Sequence, residues 1–175
     1  LAGLPLVGLW LHAGGRLREA VTTVDRGFQD RLYMWQAAWG MIRDRPVVGH
    51  GLNTFMARYL DYWVGGERAP RYAHNGYLQV WAETGLIGLG TFLWLLWRMW
   101  TGWVAGARSA LDDRHRMLLL GMMAGLLAFL IQSAVDTNFY SLRQATLFWA
   151  LAGLATGLAA AMGQHGAHHV RERVS

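Results

Sequence analysis

A histidine and an asparagine, His74-Asn75, are followed by nine residues and then Gly85-Leu86-Ile87-Gly88, where a polar segment gives way to a long apolar run. An unperturbed imidazole titrates at about pH 6.5, which suits it to moving a proton near neutral pH. Asn75 is of the type that caps a helix, so a helix is expected behind it, with its unpaired N–H groups and positive dipole end beside His74. An anion can rest on such an end. Arginine supplies the second ingredient, because a guanidinium holds a phosphate through paired N–H donors. Arg31 stands at the start of an expected helix, and Arg71 precedes His74 by three residues. The pattern therefore offers a base beside a cationic anion site. Each residue also has a plainer role: His74 can simply hydrogen-bond a loop carbonyl, Asp25 and Asp30 can neutralise Arg31, and Arg43, Arg45, Arg58 and Arg68 read as solvated faces or further anion contacts. Asp112-Asp113 with His115 reads as a solvated turn and the C-terminal HGAHH as a flexible tail, so no metal site is expected. Cysteine is absent.

The elements that must position these residues follow from hydropathy. The chain is 54% hydrophobic and only 15% charged, whereas soluble domains carry about 25% charged residues. Residues 86–104, 117–135 and 142–162 each approach the ~20 apolar residues that cross a bilayer. The expected fold is all-α: a polytopic membrane protein with three full transmembrane helices, the end of a fourth over 1–13, a large outer loop of short interfacial helices over 14–84, the spans over 85–162 and an inner tail over 163–175. The chain reads as the C-terminal part of a larger protein. Arginines in 105–116 and after 162 place both inside, which puts 136–141 and 14–84 outside. Within the outer loop, Asp30 is expected to cap a helix over 31–43 whose apolar face is Leu32, Trp35, Trp39 and Ile42. Asn53 is expected to cap a second over 54–64, and Asn75 a third ending at Gly85. Arg98 lies in a span and can snorkel to the interface. Asp136 and Asn138 lie outside between two spans, where they could face the site or merely cap a loop. The run GLATGLAAAMG reads as a close helix-packing face.

All 16 basic residues are Arg, against 11 acidic, for a net charge of +5. They are scattered among Trp and Gly, which suits a phosphate-bearing lipid or a bilayer interface better than a duplex; no nucleic-acid partner is expected.

His74-Asn75-x9-Gly85-x-x-Gly88 reproduces the His-Asn-x9-Gly-x-x-Gly signature of the O-antigen ligase and O-antigen polymerase superfamily. Arg31-x-x-x-Trp35 followed by Pro46-x-x-Gly49-x-Gly51 resembles that family's upstream segment. The resemblance implies a multi-pass enzyme of the bacterial inner membrane with its active site facing the periplasm. It implies transfer of a glycan from an undecaprenyl-diphosphate carrier to a hydroxyl of an acceptor, either a glycan or the lipid A core, with inversion at the anomeric carbon. On this resemblance His74 matches the catalytic histidine and Arg31 the loop arginine that holds the diphosphate, with Arg71 a further diphosphate contact by its position. Asn75 would orient or cap, and Gly85 and Gly88 would serve the turn and close packing below the site. No cofactor is expected, since a lipid diphosphate is already an activated leaving group. The rival from another class is a non-enzymatic integral membrane subunit, a transporter piece or an assembly scaffold, although a scaffold gives no reason for this spacing.

Overall fold

The computed structural model describes residues 27–66, 72–110 and 112–174, with side chains as far as 164. Arg71 and the apolar segment 1–13 lie outside the described residues. All regular structure among the described residues is helical. Helix α1 covers 27–44, α2 is the single turn Phe55–Arg58, and a 3-10 turn Tyr59–Tyr62 continues it. Helices α3 (Gly76–Ser109) and α4 (Asp113–Gln132), a 3-10 turn Asn138–Tyr140 and α5 (Leu142–Val174) complete the order. The α5 backbone runs on through the expected tail, which contains no proline to stop it.

Helices α3, α4 and α5 are long and apolar enough to cross a membrane, and in the most apolar stretch of each no more than 28% of residues are buried. Side chains such as Trp94, Trp97, Leu118, Leu147 and Leu154 point outward. A bundle that keeps so much apolar surface on its outside is built for an apolar solvent. Its own core is Trp103, Leu119, Met123, Leu126, Phe148, Ala152 and Ala155, topped by a ring cluster in which Phe139 meets Phe92, Phe129 and Phe148, each at 5.1 Å between centroids. The small-residue run of α5 does allow close approach: a Cβ on Gly106 would lie 2.6 Å from the Ala159 Cβ, and nearby Trp103 Nε1 donates to Thr156 Oγ1 at 3.0 Å.

A second core joins α1, α2 and the start of α3. Met34, Ala37, Ala38, Met41 and Ile42 of α1 pack with Phe55, Tyr59, Ala73 and Ala82. The buried face of α1 is thus rotated from the expected one, with Leu32 38% and Trp39 41% exposed. Two alanines let the helix approach closely, which bulky rings would prevent, and Trp39 is left at the rim, edge-on to Trp81 at 5.5 Å. Asp30 is no cap, because α1 is already helical at 27; its carboxylate lies against Gly66. The second expected helix is also revised. Asn53 adopts a left-handed conformation (φ 59°), Thr54 occupies the cap position but turns its Oγ1 back to donate to the Gly51 carbonyl at 2.6 Å instead of capping the helix, and regular α geometry lasts one turn.

The third expectation holds: the helix that begins after Asn75 breaks at Gly85 (φ 69°, ψ −172°) before continuing as the first span. A broken helix leaves carbonyls before the break and N–H groups after it without partners. The loop Pro46–Gly51 supplies both kinds. His50 and Gly51 N–H donate to the Ala82 and Glu83 carbonyls at 3.1 and 2.8 Å, while Leu86 and Ile87 N–H donate to the Pro46 and Val47 carbonyls at 2.8 and 3.3 Å. A Cβ at Gly85 would strike the Val47 carbonyl and one at Gly49 (φ 66°) the Glu83 carbonyl, so both contacts require glycine. Gly85→Ala is therefore expected to cost about 2 kcal/mol or more, read as a lower thermal midpoint of the purified protein. Gly90→Ala, where a Cβ meets nothing within 4 Å, should not lower it.

Candidate functional site

The site lies where α1, the start of α3 and the α4–α5 connection meet. Asn75 caps α3 as expected, its Oδ1 accepting from Tyr77 and Leu78 N–H at 3.1 and 3.0 Å. His74, immediately before it, is held at φ 48°. That conformation is uncommon for a residue with a side chain and persists only where neighbours over-determine it. Three bonds do so. Trp35 Nε1 donates to the His74 carbonyl at 3.3 Å, Gln79 Oε1 accepts from the Ala73 N–H at 3.0 Å, and the Asn75 cap follows.

The His74 Nδ1 stands 3.4 Å from Asp136 Oδ1, with the two side chains 35% and 44% exposed. The approach lacks hydrogen-bond alignment, and Nδ1 is buried with no other partner. At that distance and exposure the contact is a loose one rather than a strong ion pair. Asp136 also accepts the Thr137 N–H at 2.8 Å, so loop capping and a position facing the histidine are both realised. The Gly76 N–H, at the first turn of α3, reaches the Ser133 and Asp136 carbonyls at 2.8 and 3.0 Å and fixes the connection against the helix start. A Cβ on Gly76 would sit 3.2 Å from the Ser133 oxygen.

Arg31 reaches the same place from α1. Its Nη1 donates to the Val135 carbonyl at 2.9 Å, next in sequence to Asp136. Trp35, one turn further along α1, holds the His74 carbonyl, so one helix face grips both segments of the site. A guanidinium carries five N–H donors, and one bond to a carbonyl leaves a fork to meet an anion. Arg31 is well inside α1 rather than at its N-terminus, so the helix end that accompanies it is that of α3. Gly88 lies within α3, not in the turn: a Cβ there would collide with Thr84, whose Oγ1 folds back onto the Val80 carbonyl at 2.6 Å. Among the described residues no group of three or more His, Asp or Glu side chains is placed to hold a metal ion.

Behind the pair sits a buried polar network that the sequence reading did not single out. Glu83 is fully buried. Its Oε2 accepts from Asn53 N–H and Tyr140 Oη, both at 2.7 Å; its Oε1 accepts from Phe55 N–H at 3.1 Å and Gln79 Nε2 at 3.2 Å. The carboxylate thus caps α2 from a distance, which is why Asn53 does not. Burial, the hydrogen bond to Glu83 and its charge together push the Tyr140 hydroxyl above the usual phenol range, so it remains a donor. The available signal was Gln79 and Glu83 at i, i+4 on one helix face, an acid at the edge of an apolar run where it needs partners.

The family model described as O-Antigen ligase matches residues 4–93. The chain belongs to the O-antigen ligase family. It is also similar to a Rickettsia conorii protein provisionally named a polysaccharide ligase, with 33% identity over 75 residues. That match covers 38% of this chain and 18% of the relative's length. No solved structure matches the chain.

Because Asn75 satisfies two N–H groups at the helix start, Asn75→Ala should cost about 1 kcal/mol. Hydrogen exchange at the Tyr77 and Leu78 amides is expected to accelerate, with exchange in α4 and α5 unchanged.

Proposed function

We propose that the full-length protein moves a glycan from an undecaprenyl-diphosphate carrier to a hydroxyl of an acceptor sugar, on the periplasmic side of the bacterial inner membrane. Family membership supports transfer of a glycan. The observation that carries the residue assignment is the convergence of His74, Asp136 and Arg31 at the capped start of α3. With Nδ1 buried toward Asp136, the other side of the ring is the one a substrate hydroxyl meets. Nε2 takes the hydroxyl proton as the oxygen attacks the anomeric carbon. The bond from that carbon to the diphosphate oxygen breaks, its electron pair leaves on the diphosphate, and the single displacement inverts the centre. Asp136 stabilises the imidazolium that forms. Arg31 meets the charge that grows on the leaving group, where preorganised donors act most strongly, and the positive dipole end of α3 adds to its field. Arg71 is a further cation for the diphosphate by its place in the sequence. The arginine-free connection 136–141, set against the arginines of 105–116, supports the outward orientation.

The test is incubation of the purified full-length protein with a lipid-diphosphate oligosaccharide and candidate acceptors. Product is expected with a glycan or lipid A core acceptor; its absence with every acceptor, from a folded and inserted protein, would favour the scaffold reading. His74→Ala should lower transfer by about 10²–10⁴-fold, and transfer equal to the parent's would make His74 structural. Arg31→Lys keeps the charge but loses the fork, so donor affinity should fall by about tenfold; unchanged affinity would remove Arg31 from the diphosphate site.

A further inference from the structure

We propose that Glu83 is a positioning residue for the His74–Asp136 pair, acting through Gln79 on one side and Tyr140 on the other. The proposal rests on the transferase reading for its consequence in catalysis, but its geometric part stands apart from it.

The two segments that carry the pair belong to distant parts of the chain, and Glu83 holds both. Gln79, one turn before Glu83 on α3, donates its Nε2–H to Glu83 and accepts at Oε1 from the N–H of Ala73, the residue before His74. Tyr140 gives its hydroxyl to Glu83 at 2.7 Å and closes the 3-10 turn that begins two residues after Asp136. The other two donors, Asn53 and Phe55 N–H, fasten the loop that fills the Gly85 break. One carboxylate therefore fixes three segments relative to each other.

The chemistry of that carboxylate is specific. Among the described residues each oxygen receives two donors. An ionised carboxylate is acceptor-only and satisfies all four. An amide of the same shape must turn an NH2 toward two other donors, so Glu83→Gln is a severe change despite its size. For stability alone a fully buried charge is a poor choice, since well-packed apolar groups often do as well or better. A network with no free valence sets relative position instead. Here the position at stake is that of a strained histidine and a carboxylate 3.4 Å from it that are not yet aligned.

The described chain has no cysteine, which allows a direct reading of the separation. In full-length protein cleared of any other cysteine, His74→Cys with Asp136→Cys places two thiols where the pair stands. Dibromobimane becomes fluorescent when it bridges neighbouring thiols, so the rate of fluorescence gain reports their juxtaposition without any need for activity. Adding Glu83→Gln is expected to slow bridging by about tenfold, and Tyr140→Phe, which removes one donor of four and keeps the ring, by a smaller factor. Asp44→Asn removes the exposed carboxylate partner of Tyr62, away from the pair, and should leave the rate unchanged. If Glu83→Gln fails to insert, Tyr140→Phe alone decides. In the otherwise native enzyme, Glu83→Gln should lower kcat by about 10- to 100-fold with KM for the lipid-linked donor little changed. Bridging that is not slowed by either variant overturns the positioning role, whatever happens to transfer. Slowed bridging with transfer intact leaves the positioning role standing and overturns the catalytic reading of the pair.

Discussion

The structure depends on satisfying a helix that breaks at the edge of an apolar bundle. At Gly85 the chain leaves helical geometry for one residue, and backbone groups on both sides lose their helical partners at a buried position. The loop Pro46–Gly51 answers group for group, donating to carbonyls before the break and accepting from N–H groups after it. Two glycines at positive φ make the approach possible, one on each partner. The position of α1 depends on this junction. The loop fixes the end of α1, where His50 Nε2 also lies 3.0 Å from the Met41 carbonyl, and α1 in turn carries Arg31 and Trp35 to the candidate site.

The site is accordingly made of backbone as much as of side chains. His74 is set by a capped helix start, an indole on its carbonyl and an amide on the residue before it. Asp136 is set by a connection whose carbonyls receive Gly76 and Arg31. Neither residue touches the other with the geometry of a formed hydrogen bond, and both stay partly open. A close pair with one residue at positive φ and one buried nitrogen unpartnered, within a well-satisfied frame, marks this place as the candidate site. The frame itself is the Glu83 network, buried and complete except for its dependence on charge.

Much of this was legible in the sequence, and the misses have physical causes. The three apolar helices followed from length and composition, the cap at Asn75 from residue type, and the break at Gly85 from a glycine at the border of the apolar run. The face of α1 was misread because large apolar side chains were taken as the core, while the helix in fact packs through Ala37 and Ala38 and leaves Leu32 and Trp39 at the rim. Asn53 has the right type for a cap, yet a carboxylate thirty residues away in sequence took its place. Local rules cannot see such a partner. Glu83 escaped notice for the same reason: its meaning lies in donors from four separate positions, brought together only by the fold. Asp136 was recognised as a candidate with two roles, and it fills both geometries.

The proposed function rests on one physical picture: an activated lipid diphosphate held by the Arg31 guanidinium near the positive end of α3, beside a histidine placed to take a proton. The most direct test is a structure of the full-length protein in a lipid environment with an undecaprenyl-diphosphate glycan bound. The diphosphate oxygens should lie within hydrogen-bond distance of Arg31 at the start of α3, with the exposed side of the His74 ring open toward the anomeric carbon. A diphosphate bound away from Arg31, or a His74 ring turned from the sugar and sealed among helices, would contradict it.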